Sequence, residues 1–340
     1  MVKERRGCIE MLSHIVNDIG KGKYKYILVS TTSKKPAQVS RLPDKDFSGE
    51  LAANFLITDE QIACELFKNV DGLVETVLID VERKQQIDLM EIANDIFTKT
   101  SILPYKPNDV TLEAADQLVM NQLGVNLSGK KVLVYGTGNI AFKLALRLLE
   151  REAYVIIMGR DLDKVQTIVT TLNMIKPRYS NVVAEEYNSS LVNEFDGLIS
   201  FISGEKVIGT SMAIHIKPGG FAIDGGIGNF QGEFIAEALK NQISVFRLDV
   251  RLGNPFLLAG LTSLSSENEF FNSVIGSCQV DNMKLVAGGI IGEDGAIIVD
   301  RIKSPTQIIG VANGYGGLKN EEQLTGTDRK NLQYGRNNVL

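Results

Sequence analysis

Apolar positions along this 340-residue chain fall at helical and strand spacing in successive blocks, and the way those blocks alternate predicts the architecture. Residues 8–19 have near-helical apolar spacing, and the following Lys-Gly-Lys-Tyr-Lys-Tyr-Ile-Leu-Val-Ser predicts a turn into a strand. From Lys34 to Glu50, dense Lys, Pro, Ser, Asp and Gly predict a surface loop. Thr58 is a candidate N-cap with acidic residues behind it, so a helix is expected over the next turns. β-Branched residues make 74–82 a strand, and periodicity makes 87–100 a helix. Pro104 and Pro107 then predict a stiff extended connection, the best candidate hinge between domains.

Beyond the prolines, the pattern predicts a long helix over 110–123. After it come strand 131–135, helix 139–151, strand 153–158, helix 161–173 and strands 181–184, 197–202 and 220–224. Strands alternating with helices of this length give a parallel sheet with right-handed crossovers. In the last hundred residues, 283–302 predict a glycine-rich hairpin turning at Glu293-Asp294-Gly295, and 306–318 add a short strand. The polar tail beyond Leu324 is expected to be flexible. The expected fold is α/β: a Rossmann-type doubly wound parallel sheet, a second, smaller α/β domain and a β-rich C-terminal segment. The expected boundaries are 1–108 for an N-terminal substrate domain, 109–245 for the Rossmann domain and 246–340 for the C-terminal segment.

With 44% apolar and 23% charged residues the chain can bury sizeable cores, which excludes wholesale disorder. A net charge of −5 spread along the sequence gives no field for a polyanion, so nucleic acid is not an expected partner. No apolar run is long enough to span a membrane. Cys8, Cys64 and Cys278 lack paired spacing and predict neither a zinc site nor a disulfide framework; a reducing, cytoplasmic location is expected. Only His14 and His215 could act as imidazole ligands, which excludes a multi-histidine metal site, and His215 is expected on a surface helix.

One motif points to a ligand. After the strand 131–135 comes Gly136-Thr137-Gly138-Asn139-Ile140-Ala141, a G-x-G-x-x-A pattern leading into an amphipathic helix. In that setting Gly136 permits a tight turn, Gly138 lets backbone approach a pyrophosphate, and Ala141 lets helix and strand pack closely. The helix N-terminus offers unpaired N–H groups to the phosphates. The second strand ends in Gly159-Arg160 where an NAD site usually has an acid, so Arg160 favours a 2′-phosphate and NADP over NAD; Asp161, one residue on, could still reach a ribose.

The stretch from Leu103 to Gly228 resembles methylenetetrahydrofolate dehydrogenase/cyclohydrolase and, more loosely, shikimate dehydrogenase and other amino-acid-dehydrogenase-like Rossmann proteins. Pro104-Tyr105-Lys106-Pro107 looks like the folate family's Pro-Cys-Thr-Pro segment, and Gly136 to Ile140 stands at its Gly-Arg-Ser-x-Ile turn. Ile216-Lys217-Pro218-Gly219, followed by Ile223-Asp224-Gly225-Gly226-Ile227, resembles its Ile-Lys-Pro-Gly signature. The resemblance implies cofactor contacts from Ser203, Gly204, Gly226 and Ile227. The Gly159-Arg160 junction looks more like shikimate dehydrogenase. The folate family's Tyr-x-x-x-Lys pair and Pro-Gly-Gly-Val-Gly-Pro loop have no counterpart here, nor does the shikimate-type Ser-x-Ser.

Hydride transfer needs one group to handle a proton. Lys106 and Asp109 are the candidate catalytic residues, although Asp109 serves equally well as a helix cap. Asp80 and Glu82, at a strand end, are further candidates or simply solvated acids. The leading expectation is an NADP-dependent oxidoreductase acting on a small carbonyl, imine or hydroxyl substrate in an interdomain cleft. The competing expectations are a non-catalytic Rossmann scaffold binding a peptide, protein or nucleotide, and a transferase or cyclase without redox work. Residues 285–318, apolar and glycine-rich, suggest a homodimer contact.

Overall fold

The computed structural model describes residues 16–32, 39–47, 49–190, 192, 194–264 and 269–340. They form two compact units, Met1–Leu258 and Ala259–Leu340. Of the helix predicted over 8–19, residues 16–20 are helical and the rest, with Cys8 and His14, lies outside the described residues.

The first unit holds two sheets. One is built from β1 (Tyr26–Ser30), β2 (Val39–Phe47), β3 (Glu50–Ile57), β4 (Thr76–Asp80) and β5 (Ser101–Tyr105), in the order β2-β3-β1-β4-β5. All pairs are parallel except β2 with β3. Side chains alternate along each strand, so Val29, Phe55 and Val77 share a core with Leu66, Phe67 and Ala93 from α1 (Glu60–Val70) and α2 (Leu89–Ile96). Asp59, one residue after the expected Thr58, caps α1 by accepting the Ile62 N–H, and Asp88 caps α2.

Strand β2 corrects the loop predicted over 34–50 for residues 39–47; residues 34–38 and 48 lie outside the described residues. Its charges are partnered across the sheet: Arg41 lies over the Phe55 ring and donates to the Asn54 carbonyl at 3.1 Å. A register shift between Leu42 and Lys45 takes up Pro43, and an edge strand tolerates the missing N–H. The Pro104 and Pro107 segment is likewise more regular than a bare extended connection. Pro104 sits in edge strand β5 opposite Ile79, and Pro107 opens α3 (Pro107–Leu123) at a position whose N–H has no helical partner.

The second sheet contains β6 (Lys131–Tyr135), β7 (Tyr154–Met158), β8 (Ala184–Glu186), β9 (Phe195–Ser200), β10 (Ile216–Asp224) and β11 (Ser244–Arg247). Its order, β11-β10-β9-β6-β7-β8, is all parallel and reverses between β6 and β9, the doubly wound Rossmann pattern. Alternation sorts β6 between two cores. Val132 and Val134 pack with α3, α4 (Asn139–Glu150) and α5 (Leu162–Ile175), while Leu133 packs with α6 (Gly232–Lys240). His215 is buried in a short turn of 3₁₀ helix with Nε2 2.8 Å from the Tyr187 hydroxyl, not on a surface helix. Packing of Phe195 and Tyr187 around its ring draws it inward.

A ladder of ion pairs joins α3 to α4. Lys143 meets Asp109 at 2.5 Å, Arg147 meets Glu113 and Asp116, and Arg151 meets Asp116, whose side chain is 2% exposed. The acids at 109, 113 and 116 and the bases at 143, 147 and 151 recur every three or four residues, so each set lies along one helix face.

The second unit carries β12 (Gly276–Val280), β13 (Met283–Ala287), β14 (Ile297–Val299) and β15 (Ile308–Val311), adjacent in that order. The predicted hairpin over 283–302 is corrected here: β13 and β14 run parallel, Leu285 beside Ile297. Gly288 and Gly289, at φ 69° and 81°, turn the chain away from β13. The Glu293-Asp294-Gly295 turn is held from the β15 side, where Gly295 N–H donates to the Ala312 carbonyl. The tail expected to be flexible forms a helix, Gly326–Asn338, with a Thr325/Asp328 capping box, and Lys319 donates to Asp328 at 3.0 Å.

Candidate nucleotide site

The turn after β6 is fixed by backbone geometry that only glycine satisfies. Gly136 has φ +152°, and a Cβ there would lie 2.8 Å from the Phe201 carbonyl oxygen. Its N–H donates to Met158, and Phe201 N–H donates to Tyr135, so the turn is clamped between the ends of β7 and β9. Gly159 closes the other side: a Cβ would come 2.5 Å from Thr137 Cγ2.

Gly138 is different, because a Cβ there would meet nothing within 4 Å. It is the N-cap of α4 and offers no side-chain cap, and the first helical bond runs from Phe142 N–H to the Gly138 carbonyl. The N–H groups of Asn139, Ile140 and Ala141 are therefore left without helical acceptors, with the positive end of the helix dipole behind them. That open cradle fits a pyrophosphate.

Around it opens a cleft of about 720 Å³ at the β6/β9 switch point. The structure brings Gly136, Thr137, Gly138, Arg160, Ser203 and Gly204 together on its wall. Asn139 and Ile140 form the first turn of α4 just beyond. Gly226 and Ile227 stand in the loop after β10, where a Cβ on Gly226 would be 2.3 Å from the Ile202 carbonyl; Ile227 is exposed at φ 63°. Buried Asn229 ties that loop to the cleft wall, donating to the Ile202 and Gly204 carbonyls at 2.9 and 2.8 Å.

At the β7 end of the cleft, Asp161 is used as the cap of α5, accepting the Lys164 N–H at 3.1 Å. Arg160 and Lys164 are exposed on the cleft wall, and neither side chain forms an ion pair among the described residues. Sequence reasoning missed Lys164, which stands in the first turn of α5 just beyond the Asp161 cap and lines the same cleft as Arg160.

Lys106 and Asp109 do not line this cleft. Lys106 is the exposed N-cap residue of α3, and Asp109 sits in that helix's first turn against Lys143. Asp80 is buried, bonded to the Thr31 and Glu82 N–H groups and to Lys84, and Glu82 accepts the Asn108 N–H. Among the described residues no group of three His, Cys, Asp or Glu could hold a metal ion, and no helix is long and apolar enough to cross a membrane.

Residues 117–218, from the middle of α3 into β10, match the family model of shikimate/quinate 5-dehydrogenase. This segment takes in the whole glycine turn and most of the cleft wall. No curated protein matches the chain. Among solved structures, a shikimate dehydrogenase in complex with NADP+ aligns at 13% identity over 70% of this chain and 91% of its own, with a TM-score of 0.45. L-tryptophan dehydrogenase from Nostoc punctiforme aligns at 11% identity over 73% of this chain and 78% of its own, TM-score 0.44. For 5-ketofructose reductase of Gluconobacter sp. strain CHM43 the identity is 14%, the coverage 70% and 92%, and the TM-score 0.43.

Proposed function

We propose that this chain is an oxidoreductase that uses a nicotinamide dinucleotide, with NADP preferred over NAD, on a small carbonyl, imine or hydroxyl compound. The observation that carries this reading is the open cradle at Gly138 in one cleft with Arg160 and Lys164. Phosphate oxygens would meet the N–H groups at the start of α4, and a 2′-phosphate would meet the two cations. Asp161 already accepts the Lys164 N–H with one carboxylate oxygen, which favours Arg160 and Lys164 as the groups that meet this end of the nucleotide. The dehydrogenases and reductase named above, and the shikimate/quinate family match, support the redox class.

A bound nicotinamide supplies or accepts a hydride. The chain's own part is to orient the dinucleotide on the Gly136 turn and to hold the 203–204 wall firm through Asn229. Lys106 and Asp109 are not favoured as the proton-handling groups, because one is solvated and the other is engaged by Lys143.

Titration calorimetry with NADP+ and then NAD+ tests the reading. Wild-type protein is expected to bind NADP+ more tightly. Arg160→Ala is expected to lose about 10-fold or more in NADP+ affinity, since a charge-assisted hydrogen bond contributes roughly 1.5–3 kcal/mol, with NAD+ affinity nearly unchanged. Equal losses for both nucleotides would remove the 2′-phosphate assignment.

A further inference from the structure

A second cavity, of about 330 Å³, lies where the far end of β2 meets the start of the helix Asn254–Leu264, and none of its lining residues belongs to the nucleotide cleft. Asn254 lines it, is 8% exposed, and has a side-chain oxygen that no group among the described residues donates to. Buried amide oxygens are nearly always bonded, because one without a donor gives up its hydration and gains nothing in exchange. Packing holds this one in place. A short 3₁₀ turn, Val250–Gly253, leads into Asn254, and a Cβ on Gly253 would lie 2.2 Å from the Val110 carbonyl oxygen of α3, so the backbone cannot draw the amide away.

The charges on the wall leave one sign unanswered. Asp44 is engaged by Arg41 and accepts the Tyr24 hydroxyl at 2.8 Å. Asp46 accepts the Gly49 N–H at 2.7 Å but pairs with no cation among the described residues. Arg251, the cation that lines the cavity, is held by Asp249, to which its Nε donates at 2.9 Å. What is left is an exposed carboxylate without a counter-ion and an amide oxygen without a donor, beside the apolar surfaces of Phe47, Pro255 and Leu258. An anion would be repelled by Asp46, and a neutral hydroxyl would leave its charge unmet. An ammonium group brings three donors on one compact positive charge and satisfies both.

We propose that this cavity is a binding site for a small primary ammonium compound, its N–H groups donating to Asp46 and to the Asn254 amide oxygen while its apolar body lies on Phe47, Pro255 and Leu258. The terminal torsion of an asparagine is broad, so the amide turns its oxygen toward a donor that enters. The volume is at the small end of ligand sites, which run from roughly 300 to 1,000 Å³. The site goes beyond the oxidoreductase reading and does not depend on it.

The test is titration of the deuterated, 15N-labelled full chain with n-butylammonium chloride at constant ionic strength, read from backbone and asparagine side-chain amide resonances. Saturable shifts are expected at Asp46, Phe47 and the Asn254 side chain, with a midpoint below about 10 mM. The uncharged n-butanol, of the same shape, should bind about fivefold or more weakly, and Asp46→Asn and Asn254→Leu should each weaken n-butylammonium by about the same factor. Asn254→Leu is expected to unfold at the same or higher urea concentration, since it removes an unpaired buried amide; if it fails to fold, Asp46→Asn, which keeps an oxygen for Gly49, decides. No saturable shift up to about 50 mM, equal binding of n-butanol, or unchanged affinity in Asp46→Asn would each overturn the site.

Discussion

Replacing Gly138 with aspartate is expected to lower NADP+ affinity by about 100-fold or more, roughly 2.7 kcal/mol, while the protein stays folded. The backbone at this position, φ −90° and ψ 178°, suits any residue, and a Cβ meets nothing within 4 Å. Aspartate is also a favoured N-cap, so its carboxylate would accept the free N–H groups of α4 and hold or raise stability by roughly a few tenths of a kcal/mol, the usual difference from glycine at this position. The same carboxylate would fill the cradle with negative charge, where a pyrophosphate needs donors. Calorimetric affinity set beside a urea unfolding curve separates the two effects. An affinity loss with unchanged stability assigns the phosphates to this turn. Unchanged affinity would move them elsewhere.

Asp116→Ala is expected to destabilise the first unit by about 3 kcal/mol, the lower end for breaking a buried ion pair. The carboxylate is buried against two guanidinium groups, with Arg147 Nη1 at 3.2 Å and Arg151 Nη2 at 2.7 Å. Both arginines are about a third exposed, so water recovers part of their solvation and keeps the loss from being larger. Glu113→Ala should cost less, about 1 kcal/mol, because Arg147 keeps Asp116. Urea unfolding midpoints at constant m-value check both. Equal effects for the two variants would mean that burial at 116 does not set the strength of the ladder.

The nucleotide half of the molecule was the legible half. Val132 and Val134 alternating with Leu133, then Gly136 and Gly138, then a helical repeat, are local signals, and the structure keeps all of them. Strand β2 was hidden because Arg41, Asp44, Lys45 and Asp46 read as solvated charges. The partners of the first three, Tyr24 just ahead of β1, Phe55 on β3 and Tyr105 on β5, are distant in sequence, which local pattern cannot supply. Lys106 stood out beside two prolines, and it is an exposed helix cap. Glu293-Asp294-Gly295 does make a turn, but whether the strands around it pair with each other depends on β15, which captures Gly295 and Ala296 through Ala312. The helix Gly326–Asn338 has almost no apolar face; its start is written only in the Thr325/Asp328 box and the Lys319 contact.

Hydrogen–deuterium exchange with and without saturating NADP+ tests the central claim most directly. Added protection is predicted in three segments of the cleft: residues 135–142 around the glycine turn, 159–164 at the end of β7, and 201–207 after β9. Gly138→Asp should abolish all three together. Protection confined to other segments, or none in folded protein at millimolar NADP+, would contradict the dinucleotide site and with it the redox function.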